Sequence, residues 1–169
     1  MDRIWTPWRM AYIKGEEGHD GCFLCDFPSD DPQNDRRNLV LVRGALAFII
    51  MNKYPYNSGH LVVAPYRHCA RYDDLTLEEH ADIAALASRC VRSLQDAYQP
   101  EGFNIGVNQG RAAGAGVPDH LHMHVVPRWA GDTNYMTTIG ETKVLPEALE
   151  DTYDKLRARL DAGGAQNSV

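Results

Sequence analysis

Between positions 120 and 125 histidine and apolar residues alternate strictly: His120, Leu121, His122, Met123, His124, Val125. Period-two alternation predicts a strand, here over Leu121–Pro127, in which residues i, i+2 and i+4 share one face. Three imidazoles should then look one way, with Leu121, Met123 and Val125 turned into a core. Three of the chain's seven histidines fall in these five residues, which is costly to pack without a purpose. Two purposes fit. Alternating histidines suit a zinc ion, and a neutral imidazole is a good nucleophile toward phosphorus through an unprotonated Nε2.

The rest of the chain supplies a frame for that strand. Strands are expected at Leu39–Val42 and Ala45–Met51, turning at Arg43-Gly44, then at His60–Ala64 and Phe103–Gln109. Residues 76–98 read as a long helix. Thr76 and Glu79 form a capping box, and Leu77, Ala81, Ala84, Ala87, Val91, Leu94 and Tyr98 recur at three- and four-residue steps. Pro100 and Gly102 end it. A last helix follows Pro146 and should bury Leu149, Tyr153, Leu156 and Leu160. The order predicts an α+β fold: an antiparallel sheet of about five strands with a long helix and a C-terminal helix, the helices on one face. The 169 residues suit one domain: an arm with Cys22-x-x-Cys25 over 1–37, a core over 38–130, and a C-terminal loop and helix over 131–169. Residues 26–38 are rich in Pro, Asp and Asn and read as a surface loop.

A formal net charge of −6 and the lack of a basic stripe argue against a nucleic-acid partner. A locally positive pocket for a small anion remains compatible with it. No stretch is apolar enough to span a membrane or to serve as a signal peptide, so a cytoplasmic location is expected. Directly before the triad, "NQGRAAGAGV" runs from Asn108 to Val117. Its glycines allow close backbone approach and concave arrays of N–H groups that bind phosphate.

These motifs carry a family likeness. "HLHMHVV" resembles the His-φ-His-φ-His-φ-φ signature of the histidine-triad superfamily. "GHLVVAPYRH", "GFNIGVNQG" and "VVPRW" resemble its flanking segments. The N-terminal "WTPWRMAYI", with Trp5 and Trp8, and "GDTNYM" resemble the bacterial diadenosine tetraphosphate phosphorylase or ATP adenylyltransferase-like branch. The resemblance implies an enzyme acting on an adenine nucleotide or dinucleoside polyphosphate without an organic cofactor. It implies that His122 attacks the α-phosphate and carries a covalent AMP. His124, Asn108 and the N–H groups of Gly114, Ala115, Gly116 and Val117 would contact phosphate, and Asn52 the sugar. By residue type alone, Asn52 is a turn former. The loop departs from hydrolase members, being one residue longer and offering Gly and Ala where they often have Gln and Ser or Thr. An adenosine 5'-phosphoramidase and a non-catalytic zinc-containing module are the alternative functions.

Cys22 and Cys25 admit three readings: a redox dithiol, for which the βαβ context is missing, a packed pair, or half of a zinc site. His68 and His120 can complete the last, and the resemblance implies this set of four as a closed structural zinc site. Cys69 and Cys90 read as packing residues, His19 and His80 as exposed, and His60 has no assigned role. The resemblance also implies a homodimer. Ile83, Leu86 and Cys90 widen the apolar face of the long helix beyond its main stripe, which suits either a partner subunit or a wide face covered within the monomer.

Overall fold

A computed structural model describes residues 21–132 and 147–164. The arm tryptophans Trp5 and Trp8, His19 and most of "GDTNYM" lie outside the described residues. Five strands form one antiparallel sheet: β1 (Val40–Arg43), β2 (Ala47–Met51), β3 (Leu61–Pro65), β4 (Gly102–Val107) and β5 (Met123–Arg128). Their spatial order is β1-β2-β3-β5-β4. The central strands β2 and β3 are buried on both faces, which explains their continuous apolar runs. β4 is an edge whose middle is exposed, Ile105 by 51%.

Four α-helices are described. α1 (Phe23–Ser29) and the single turn α2 (Asp35–Asn38) occupy a region expected to be a loop. Long-range contacts hold them. The Arg43 guanidinium donates to the carbonyls of Pro28 and Asp30 and to the Asp35 carboxylate. The Asp30 carboxylate accepts from Asn34, Asn38 and Arg37. Leu24, buried to 2% exposure, packs α1 with Val40, Phe48, Ile50, Val62 and Ala64 on the sheet face opposite the long helices. The helices are therefore not all on one face.

α3 (Leu77–Tyr98) has the expected capping box, with Gln99 closing it in the left-handed conformation. Its buried face differs from the expected stripe. Ile83, Leu86, Ala87, Cys90 and Leu94 are buried against the sheet and α4 (Leu149–Gly164), whereas Leu77, Ala81 and Ala84 are exposed. The residues assigned to a wider flank thus form the monomer's own core. Leu77 is the first residue of the helix and is exposed, and alanine carries too little apolar surface to enforce burial. On α4, Tyr153, Leu156 and Leu160 are buried and Leu149 partly so. Among the described residues no helix is long and apolar enough to cross a membrane.

Candidate functional site

The triad does not form one continuous strand face. Strand β5 begins at Met123, two residues later than expected, because the preceding segment is recruited elsewhere. The Leu121 N–H donates to the Cys69 carbonyl at 2.6 Å. His120 turns away from the other two imidazoles and is fully buried, its Nε2 2.9 Å from the Pro65 carbonyl oxygen. Its Nδ1 lies 3.3 Å from Cys22 Sγ and 3.4 Å from Cys25 Sγ, and Cys25 Sγ lies 3.2 Å from His68 Nδ1. The ligand atoms of Cys22, Cys25, His68 and His120 all fall within 4.8 Å of one another. Tetrahedral zinc with bonds of about 2.0–2.3 Å sets its ligands roughly 3.3–3.8 Å apart, so the cluster fits the ion nearly as it stands. The Nε2–H to carbonyl bond of His120 is the outer-sphere contact that orients a ligating imidazole. Burial, then the Cys22 thiol, pushes the Cys25 thiol up; a metal binding here must displace its proton.

His122 is buried beside this cluster, with its Nδ1 2.8 Å from the carbonyl oxygen of His120. A carbonyl only accepts, so the proton resides on Nδ1 and Nε2 keeps its lone pair. Burial pushes the imidazole below its ordinary value, partly offset by that carbonyl. A neutral ring with an unprotonated Nε2 is what nucleophilic attack requires. His124 enters the ladder opposite Val62, with its ring 4.9 Å from that of His122. A cavity of about 430 Å³, lined mostly by apolar side chains including Val63, Leu75, Ile83 and Val107, opens on the α3 side with His122 on its wall.

The Gly-rich loop leaves β4 through Asn108 and Gln109. The Gln109 side-chain carbonyl accepts from the Tyr72 N–H at 2.8 Å, tying the loop to the turn before α3; nothing in the sequence marked this tie. Gly110 and Gly114 take positive φ of 81° and 84° around a short 3-10 turn, Arg111–Ala113. The N–H groups of Gly114 and Ala115 donate to the carbonyls of Arg111 and Gly110. The N–H groups of Gly114 and Ala115, both expected phosphate donors, are thus engaged within the loop. Val117 packs on the apolar cluster around Phe48.

Asn52 occupies its turn-forming role: its Oδ1 accepts from the Tyr54 N–H at 2.9 Å. Its Nδ2 then faces His60 Nδ1 at 3.4 Å. His60, unassigned from sequence, is 1% exposed and places its Nε2 3.0 Å from His124 Nδ1. Alternation along 60–64 sets the face His60 takes but does not reveal its partner. His60, Val62 and Ala64 share a face, and Val62 pairs with His124. His80 is half-buried and stacks edge-on against Tyr72.

Comparison with known proteins identifies the family. The HIT domain model matches residues 33–131. An AP-4-A phosphorylase of Mycobacterium tuberculosis is 41% identical over 157 residues, which cover 90% of this chain and 80% of that one. A bis(5'-adenosyl)-triphosphatase of Dictyostelium discoideum is 31% identical over 93 residues, 55% of this chain and 62% of its own. Among solved structures, a Zn-bound histidine triad family protein from Mycobacterium smegmatis superposes with a TM-score of 0.68 at 27% identity, covering 87% of this chain and 98% of the other. A domain model spanning over half of the chain, a triad whose middle imidazole is held as a lone-pair donor, and a relative matched over 90% of this chain place it in the histidine-triad superfamily, on the bacterial AP-4-A phosphorylase branch.

Proposed function

We propose that the protein is a nucleotidyl-transferring enzyme acting on diadenosine tetraphosphate or a related dinucleoside polyphosphate through an AMP-histidine. The observation that carries this reading is the buried His122, whose Nδ1–H is committed to the His120 carbonyl. In-line attack by Nε2 on the α-phosphate forms a P–N bond and breaks the P–O bond to the polyphosphate, which leaves as ATP. Phosphate then takes the AMP from His122, giving ADP. Catalysis rests on positioning and on neutralising the phosphoryl oxygens. His124, Asn108 and the N–H groups of Gly114, Ala115, Gly116 and Val117 serve that end, the loop exchanging internal bonds for phosphate. Asn52 reaches the ribose. The similarity to the mycobacterial AP-4-A phosphorylase favours phosphorolysis over hydrolysis or phosphoramidase action.

Zinc held by Cys22, Cys25, His68 and His120 supplies structural cross-linking of α1 to the triad segment. A second copy of the chain is proposed to pair along the β4 edge, where it would cover Ile105 and the exposed Leu77, Ala81 and Ala84. The deciding experiment is incubation with diadenosine tetraphosphate with and without phosphate. ADP plus ATP appearing only with phosphate supports the reading; AMP plus ATP in its place identifies a hydrolase. Intact substrate under both conditions, or full turnover by His122→Ala, overturns it. Rescue of His122→Gly by free imidazole would support the covalent route.

A further inference from the structure

Among the described residues, His60 is the one fully buried histidine with no place in either the metal cluster or the nucleophile's own hydrogen bonds. It stacks on the Tyr56 ring, with centroids 4.9 Å apart and planes 15° from parallel. Its two nitrogens meet partners of different kinds. The main-chain N–H of Tyr56 points at Nδ1 from 3.2 Å, and a main-chain N–H can only donate. The Asn52 amide is oriented independently, because its oxygen accepts from the Tyr54 N–H; its NH2 group therefore also faces Nδ1, at 3.4 Å. With two donors converging on Nδ1, that nitrogen must be the acceptor, and the ring proton sits on Nε2.

The consequence passes to the triad. His60 Nε2–H faces His124 Nδ1 at 3.0 Å, so Nδ1 of His124 accepts and its proton sits on Nε2. Next to it, the His120 carbonyl imposes the reverse arrangement on His122. We propose that His60 is a positioning residue that locks His124 as an Nε2–H donor, so that two neighbouring imidazoles carry opposite tautomers: a lone pair on His122 for the phosphorus and an N–H on His124 for a phosphate oxygen. No proton is transferred in this role. The donor is preorganised, and the wrong tautomer would set a lone pair against an anionic oxygen.

The kinetic part of this inference rests on the proposed nucleotidyl transfer; the tautomer itself does not. The experiment is ¹⁵N NMR of the histidine side chains in the full-length, substrate-free protein, together with steady-state kinetics on diadenosine tetraphosphate for His60→Gln and His60→Leu. Gln keeps both functions, an oxygen for the Tyr56 N–H and an NH2 for His124, whereas Leu keeps neither. In the wild type, His124 should show a protonated Nε2 and an acceptor Nδ1. His60→Gln should stay within a few-fold of wild-type kcat, and His60→Leu should lose about 10- to 100-fold in kcat with KM little changed. Circular dichroism and melting curves select variants that remain folded. A wild-type His124 carrying its proton on Nδ1 overturns the proposal. So do equal losses in folded His60→Gln and His60→Leu, or wild-type kcat in His60→Leu. Absence of turnover in the wild type itself refutes the function reading and leaves the NMR result to judge the tautomer.

Discussion

Replacing Cys25 with alanine removes one of the four proposed metal ligands and should lower the melting temperature by about 8–16 °C. The site is nearly preformed: its closest sulfur–nitrogen distances are 3.2–3.4 Å, close to the spacing tetrahedral zinc imposes. Little rearrangement is then needed, and most of the binding free energy goes to the folded state. A ligand bound only by the native protein at a thousand-fold excess over its Kd adds about 4 kcal/mol. For a chain of this size each kcal/mol moves the midpoint by about 2–4 °C. The loss should stop there, because α1 remains docked through the buried Leu24 and through Arg43 bonded to the Pro28 and Asp30 carbonyls. Calorimetry on protein purified without added metal, paired with elemental analysis, measures both sides. One zinc per chain is expected in the wild type and none in Cys25→Ala. Chelation should bring the wild type down to the variant's midpoint, and added zinc should restore only the wild type. If stoichiometric zinc can be stripped with no change in melting, the stapling argument is wrong.

Other perturbations have equally definite outcomes. The Asp82 carboxylate of α3 accepts from the N–H groups of both Leu46 and Ala47 at 2.7 and 2.9 Å. Asp82→Ala should therefore cost about 1–3 kcal/mol in urea denaturation, and an unchanged midpoint would show that water replaces it. Asp132 is held far below the usual carboxylate range, first by Arg128 and then, despite opposing burial, by Asn57. Its folded value is depressed, so its stabilisation is full above the unfolded value of about 3.9 and is lost as pH falls through the folded one. Acid titration should show wild type and Asp132→Asn differing at pH 6 and converging only at strongly acidic pH; a gap that closes by pH 5 contradicts this. Light scattering at low micromolar concentration should give twice the chain mass, and Ile105→Glu on the β4 edge should reduce it to one; a wild-type monomer with full activity removes the dimer from the mechanism.

Elements carried by local signals were legible in the sequence. The Thr76–Glu79 capping box and the Pro100 and Gly102 stop signals set the ends of α3, and the apolar runs of β2 and β3 set the sheet. What escaped was set by distant partners. The seven residues of α1 include Pro28 and have little helical tendency of their own; Arg43 and the sheet hold them. The first residues of the triad were read as strand because their pattern is that of a strand, yet Cys69 and the cysteine pair draw them out of the ladder. Alanine misled the reading of α3, since a stripe of Ala81 and Ala84 satisfies the periodicity without demanding burial. At the site, the proposed metal quartet and the role proposed for His122 came from the family resemblance that their motifs carry. His60 did not, because a histidine is recognised as buried and partnered only after β3 and β5 are seen to pair.

His120 gives the reaction centre nothing but its main-chain carbonyl, a group that every amino acid possesses. Under the proposed chemistry, the demand for imidazole at this position comes entirely from Cys22, Cys25 and His68. Sequence freedom at the three triad positions should therefore be unequal. Position 122 is constrained by bond-making and cannot drift in any active chain. Position 120 is constrained by the two cysteines nearly a hundred residues earlier, and only for as long as both persist. A descendant that lost the pair would be released to vary there, provided the backbone still presented its carbonyl to His122. A descendant that kept the pair would be held to a residue able to bind metal, with cysteine as the foreseeable substitute.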